Sequence, residues 1–417
     1  MNKVEQYIEN GWKNCIRHNT EDDDTLIGMP YPYTVPCFVR EDKSGDDSYK
    51  VEYFNEMYYW DTYFTNVGLI STGKTELARN NVDNMIFLVN KFGFVPNGNR
   101  TFFLDRSQPP FLSAMVRDIY AVYKDKEWLE RAYEALGKEY EFWMTKRISD
   151  VGLNHYGHNE FVRPAQEYAQ WYIDRLGYTP EDSVEKMASH FMGTAESGWD
   201  VSPRFGGEIF DYAPVDLNSL MYMLENNMSY FASELGKDEE ALWTDRAKVR
   251  KERIFKYLHH GDGLLLDYNF VEEKHSPVLS AATFYPMFAG FADEAHAEAM
   301  VANLHRLETQ YGVLSCEKTD IRGSFQWGYP NGWPCLQYIA IVGLNKYGYK
   351  KEALRIAKNY VSLVEKVFEE TGNLWEKYNM AEGNINVTNE YDMPAMMGWS
   401  AGVYLAAKKF VDDNAVS

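Results

Sequence analysis

Apolar residues recur at three- and four-residue steps through most of the chain, the spacing that lays a single apolar stripe along a helix. Ala353, Ile356, Ala357, Tyr360, Val364 and Val367 make one such stripe, and Trp243, Ala247, Ile254 and Leu258 make another. The same period predicts helices over 76–91, 111–123, 128–145, 217–235, 292–307 and 333–347, with a further helix over 1–15 and one closing the chain. Between them lie long connections rich in Gly, Pro, Asn and Trp: 93–110, 152–164, 193–214, 323–334 and 372–397. Loops of that length inside a compact domain are usually functional. A ring of helices with these loops gathered at one end is the expected architecture. No Pro/Ser linker or composition break divides the chain, although residues 22–50 read as an irregular arm.

Composition narrows the ligand. The 417 residues carry a formal charge of −20, which argues against nucleic acid or an anionic membrane surface as partner. Eleven Trp, 31 Tyr and 23 Phe exceed what a core needs and point to a cleft where flat rings stack on a ligand such as a sugar. Cys15, Cys37, Cys316 and Cys335 are far apart and show no paired spacing, which argues against a disulfide framework or a zinc site. With no apolar run long enough to span a bilayer, a cytoplasmic, soluble protein is expected. No metal or other cofactor is expected, and the sequence is silent on oligomeric state.

One textual match to a phosphate-binding loop, Gly68-Leu69-Ile70-Ser71-Thr72-Gly73-Lys74-Thr75, lacks its context. That loop should follow a buried strand, whereas Tyr58-Tyr59-Trp60-Asp61-Thr62-Tyr63-Phe64 is aromatic with an interior Asp. A turn between two helices is the better reading. The chemistry concentrates elsewhere. In Ala195-Glu196-Ser197-Gly198-Trp199-Asp200-Val201-Ser202-Pro203, Gly198 lets the backbone approach a neighbour closely and Pro203 puts Asp200 on a loop past a helix end. An Asp beside Trp199 in a partly apolar cleft is suited to stay protonated and act as a general acid. Asn97, Arg106 and Gln108 lie in a loop dense in side chains that bond hydroxyls, and Arg163 follows in a second. Trp327 and Trp333 flank an aromatic turn, and Glu376 stands between Trp375 and Lys377. Motifs for metalloprotease, dinucleotide or serine-hydrolase chemistry are missing. Carboxylates, arginines and aromatics remain, the set used for glycoside cleavage.

Taken in order, six blocks resemble the trehalase family of glycoside hydrolases over roughly residues 54 to 404. They are Glu56-Met57-Tyr58-Tyr59-Trp60-Asp61-Thr62-Tyr63-Phe64, Pro96-Asn97-Gly98-Asn99-Arg100, Arg106-Ser107-Gln108-Pro109-Pro110, Ala195-Glu196-Ser197-Gly198-Trp199-Asp200, Tyr329-Pro330-Asn331-Gly332-Trp333 and Glu376-Lys377-Tyr378. The resemblance implies an all-α (α/α)6 barrel over 51–417, with 1–50 packed on it as a helix and arm. It also implies hydrolysis with inversion, Asp200 as general acid and Glu376 as general base. By block matching, Trp60, Asp61, Asn97, Arg106, Gln108, Arg163 and Glu390 fall on sugar-contacting positions, with Glu167 as the partner of Arg163. Trp60, Trp199, Trp327 and Trp333 are expected to wall the pocket.

Three departures bear on the second sugar. Tyr53 stands where the family has a sugar-binding Arg, Gly328 replaces an Asp after Gln326-Trp327, and Ala381–Thr388 replaces a glycine-rich lid. The expected reaction is hydrolysis of a short α-glucoside such as trehalose. The alternatives are the same chemistry on glucosylglycerate or mannosylglycerate and, from another class, a sugar-binding protein without catalysis.

Overall fold

The computed structural model describes residues 1–36, 54, 56–389, 393, 395 and 397–415. The stripes become fourteen α-helices among the described residues. In chain order they begin with α1 (Lys3–Gly11), α2 (Tyr59–Ser71), α3 (Thr75–Phe92), α4 (Leu112–Tyr123) and α5 (Lys126–Lys146). Then come α6 (Ala165–Leu176), α7 (Val184–Ser197), α8 (Val215–Leu235), α9 (Glu240–Tyr257) and α10 (Tyr285–Ala289). The last four are α11 (Glu294–Ala302), α12 (Pro334–Lys346), α13 (Lys350–Thr371) and α14 (Gly398–Ala415).

Two rings result. The helices α2, α4, α8, α10, α12 and α14 each pack on the next, and α14 closes back onto α2. Around them α3 covers α2 and α4, α5 and α9 cover α8, and α13 covers α12 and α14. This is the (α/α)6 barrel. Burial explains which helices lie where. On α2 ten residues from Tyr59 to Leu69 are buried, so it is enclosed on all sides, whereas α13 buries one face through Ala353, Ile356, Ala357, Tyr360 and Val364. The ring closes where Gly68 meets Gly402: a Cβ on Gly402 would lie 2.0 Å from the carbonyl oxygen of Phe64. Gly68 therefore serves a helix crossing. No strand precedes it, because α2 runs through it and the Thr72–Lys74 turn leads into α3, so the nucleotide-binding reading falls. Below the first turns, Tyr63 stacks on Phe111 at 4.6 Å, and Phe288 and Tyr338 set their edges against Tyr63, plugging the axis.

Three segments differ from the sequence expectation. The helix expected over 292–307 stops at Ala302 and ends in a single tight turn, Leu304–Arg306. The N-terminal helix is shorter than 1–15 and lies in the outer layer: Asn2 bonds Glu365 and Tyr404, and Tyr7 meets Phe368 edge-on. Among the described residues, Asn2 and Tyr7 thus tie this helix to α13 and α14. Finally, α6 and α7 form a hairpin outside the two rings. It has its own apolar cluster of Tyr168, Tyr172, Leu176, Met187, Phe191, Met192 and Val201.

Candidate active site

Trp60 and Asp61 occupy the first turn of α2, Gln108 precedes α4, Trp333 caps α12 and Trp399 opens α14. The inner helices thus aim their N-termini at one place, where partial positive charge favours carboxylates. There a cleft of about 290 Å³ is lined by Trp60, Asp61, Asn97, Arg106, Gln108, Asp200, Trp327, Trp333 and Glu376. Phe54, Tyr58, Phe103, Arg175 and Trp399 complete its wall.

The Asp200 side is built by the end of α7. Gly198, at φ +71°, stops the helix, and a Cβ there would sit 2.7 Å from the Trp60 ring. The residue that needed close approach is Trp60. Asp200 follows at φ +23°, an unusual backbone conformation held by what surrounds it. Four residues before Asp200, Glu196 anchors the end of α7. It is fully buried, bonded by two Arg147 nitrogens at 2.7 and 2.9 Å and by the backbone N–H of Ser107 and Gly157. Burial opposes its charge, yet Arg147 and these bonds keep its carboxyl below the usual range. Asn97 donates to the carbonyls of Ser107 and Ala195, and Gln108 accepts from the Trp60 N–H. One network ties α7, the 95–108 loop and α2 together.

Behind Asp200 the indoles form a column. Trp199 lies 5.1 Å from Trp327, which stacks on Trp333 at 3.8 Å and 2°. A buried cation caps each end. The Arg204 guanidinium sits 4.3 Å from Trp199 and pairs with Asp216 and Asp267; the Lys377 ammonium sits 4.7 Å from Trp333 and pairs with Glu376. The Glu376 side is pinned to the ring. Residues Asn331–Gly332 pair antiparallel with Tyr378–Asn379, the Trp399 indole donates to the Glu376 carbonyl, and Ser400 donates to the carbonyl of Trp375.

Asp61 lies between the two sides. Burial, then the neighbouring Glu376 and Asp200 charges, push its carboxyl up to about 8. It is therefore protonated near neutrality and can donate to a ligand hydroxyl.

The structure brings Asp200 and Glu376 into one cleft with Trp60, Asp61, Asn97, Arg106, Gln108, Trp327 and Trp333. Trp199 lies behind the wall, in the indole column. Arg163 and Glu167 are not brought to the cleft: they pair with each other at 3.4 Å on the hairpin surface, both about half exposed. Helical spacing explains this, since positions four apart at the start of α6 face solvent together. Arg175, eleven residues after Pro164, reaches the cleft instead, with its guanidinium 3.8 Å from Asp200. It lies on a helix, outside every Gly- and Pro-rich loop, so a search of loops passes it over. Trp399 had a signal, an indole beside Gly398 at a helix start. Tyr53 and Glu390 lie outside the described residues. The desolvation expected of Asp200 is incomplete, because its side chain is 30% exposed.

Comparison with known proteins decides the family. The family model described as "Trehalase" matches residues 2–411. The chain belongs to the trehalase family. The periplasmic trehalase of Xanthomonas axonopodis pv. citri is 31% identical over 432 residues, covering 96% of this chain and 72% of its own length. The cytosolic neutral trehalase of Saccharomyces cerevisiae is 31% identical over 456 residues, covering 94% of this chain and 58% of its own. The solved structure of neutral trehalase Nth1 from Saccharomyces cerevisiae superposes with a TM-score of 0.78 at 28% identity, covering 99% of this chain and 80% of that one. This trehalase-family chain is a glycoside hydrolase with the (α/α)6 fold. No helix among its described residues is long and apolar enough to cross a membrane.

Proposed function

We propose that this enzyme hydrolyses trehalose with inversion, Asp200 acting as general acid and Glu376 as general base. The observation that carries the reading is the pair of carboxyls lining one cleft on opposite anchors, one on the hairpin and one on the ring. Asp200 gives its proton to the glycosidic oxygen as the C1–O bond breaks. Glu376 takes a proton from a water whose oxygen bonds C1 from the other face. Asp200 ends as carboxylate and Glu376 as acid, and exchange with solvent restores both. Inversion requires about 6.5–9.5 Å between the carboxyls to admit that water. Asn97, Arg106, Gln108 and protonated Asp61 supply donors and acceptors for one sugar ring, the indoles supply its flat wall, and Arg175 faces the leaving unit.

Turnover of a panel of α-linked disaccharides and of glucosyl- and mannosylglycerate tests the substrate. Trehalose as the best substrate is expected; turnover of a glycosylglycerate with none of trehalose would reassign the second unit. Asp200→Asn that binds trehalose but barely turns it over is expected of an enzyme, and unchanged turnover would remove Asp200 from the mechanism. A cytosolic setting belongs to the same proposal: Cys15, Cys316 and Cys335 are buried free thiols, as a reducing compartment keeps them. Recovery of the protein in an extracytoplasmic fraction would reverse that placement.

A further inference from the structure

The barrel holds a second cavity on the far side of its aromatic plug. Tyr63, Phe288 and Tyr338 of the plug form its inner end, and about 350 Å³ opens from there between α4, α8, α10 and α12. That exceeds the cleft's 290 Å³ and falls in the range of small-molecule sites, about 300–1,000 Å³. A packing void would be apolar, whereas this wall carries charge. Asp118 of α4 lines it, and among the described residues no hydrogen bond or ion pair reaches that carboxyl. Burial pushes it up to about 7 against the pull of the neighbouring Arg117 charge, so near neutrality it can both accept and donate. Asp118 acts on the hydroxyls of Tyr63 and Tyr338, which are hydrogen-bonded to each other. The Arg117 guanidinium sits 3.3 Å over the Tyr230 ring, and among the described residues no carboxylate is paired with it. Lys346, the last residue of α12, donates to the Phe288 carbonyl at 2.6 Å, and Asn227 donates to Ser113 at 3.3 Å. Polar groups that face a common space are normally satisfied by what fills it.

We infer that this cavity is a second binding site, for a neutral polyhydroxylated ligand the size of one hexose ring. Charges of both signs line it, Asp118 against Arg117 and Lys346, so neither an anion nor a cation is matched throughout. Arg117 and Lys346 only donate, while Asp118 and the Asn227 amide oxygen accept. A hydroxyl group does both, so a ligand rich in hydroxyls can satisfy each wall at once. The Tyr63, Phe288 and Tyr338 rings add an apolar surface for the C–H face of a sugar. The cleft combines the same kinds of group, with Asp61, Arg106 and Asn97 set beside indoles. Because the plug stands between the two cavities, the inference does not depend on the acid and base roles proposed above. The two sites share α2, on which Tyr63 follows Asp61 by two residues.

Glucose is the probe. Crystals of the intact enzyme grown with glucose should show a sugar ring between Asp118 and Tyr338. In solution, saturation-transfer NMR reads glucose binding to a variant carrying Arg106→Ala and Gln108→Ala, which strips donors from the cleft alone. That variant should keep a glucose signal. Adding Asp118→Leu or Tyr338→Phe to it should weaken the remaining affinity about tenfold, the cost of one hydrogen bond to a strong partner. Tyr338→Phe keeps the ring in the plug, so it separates a lost hydroxyl from a lost fold. Glucose density in the cleft alone, with water in the lower cavity, would overturn the inference. So would loss of the signal in the cleft variant, or an affinity that neither added substitution changes. Displacement of glucose from the cavity by inorganic phosphate would overturn it as well, since it would mark an anion site.

Discussion

The two halves of the cleft are built on different principles. Glu376 belongs to the ring: its side chain is 4% exposed, its neighbours are the first turns of α12 and α14, and a short strand pairing holds its backbone. Asp200 belongs to the hairpin: its side chain is 30% exposed, its backbone is in an unusual conformation, and the helices beneath it share a small apolar cluster apart from the main core. The contrast teaches that the Glu376 side, proposed to activate water, is fixed by the fold, while the Asp200 side, proposed to donate the proton, is added to it. Such an added element is where a family can alter the leaving unit and keep the chemistry.

The contrast can be broken or sharpened experimentally. The largest effect is expected from Glu376→Gln, which should lower kcat by about 10⁴-fold with a much smaller change in KM, since general base catalysis contributes up to that range; steady-state kinetics on trehalose read it. Next comes Arg147→Met. It leaves the buried Glu196 charge without its partner, at a cost of about 3–5 kcal/mol, and denaturant titration should show it. Arg175→Ala acts on the hairpin side alone: KM for trehalose should rise about tenfold, while the rate on α-glucosyl fluoride, which has no second sugar, changes little. An equal loss on both substrates would move Arg175 to the other sugar.

The smallest effect at neutral pH concerns Asp61. Its folded carboxyl titrates near 8, whereas the unfolded chain loses that proton near 4. Between those values the folded state binds more protons, so stability falls as pH rises from about 4 to 8. Asp118 and Glu139, both raised by burial to about 7, contribute in the same direction. Asp61→Asn should therefore flatten part of the decline, and melting temperatures measured from pH 5 to 8.5 would show it. A decline as steep as wild type would mean that Asp61 is ionised in the folded enzyme.

Much of this was legible in the residues, for identifiable reasons. Outer helices such as α13 bury one face and so print a stripe, but α2, enclosed on all sides, buries Asp61, Thr62, Thr65 and Asn66 among its aromatics, so it prints no stripe and reads as a motif. Asp200 could be singled out because Gly198, Trp199 and Pro203 crowd around it, whereas Glu376 stood out only through the block resemblance; the fold brings both into one cleft. Arg163 was misplaced and Arg175 missed because an Arg-Pro match fixes sequence position only. The hairpin's packing decides which face of α6 meets the cleft. Hydrogen bonds from Gln326 to Asp200 and from Lys377 to Gln326 join residues 126 and 51 positions apart, a relation that only folding creates.

In the proposed mechanism a water enters between Glu376 and the sugar while Asp200 protonates the opposite side. Proton NMR of the glucose released in the first moments of trehalose hydrolysis tests it most directly. Inversion predicts equal amounts of β- and α-glucose before mutarotation, one anomer from each half of the substrate. α-Glucose alone would show retention and contradict the account.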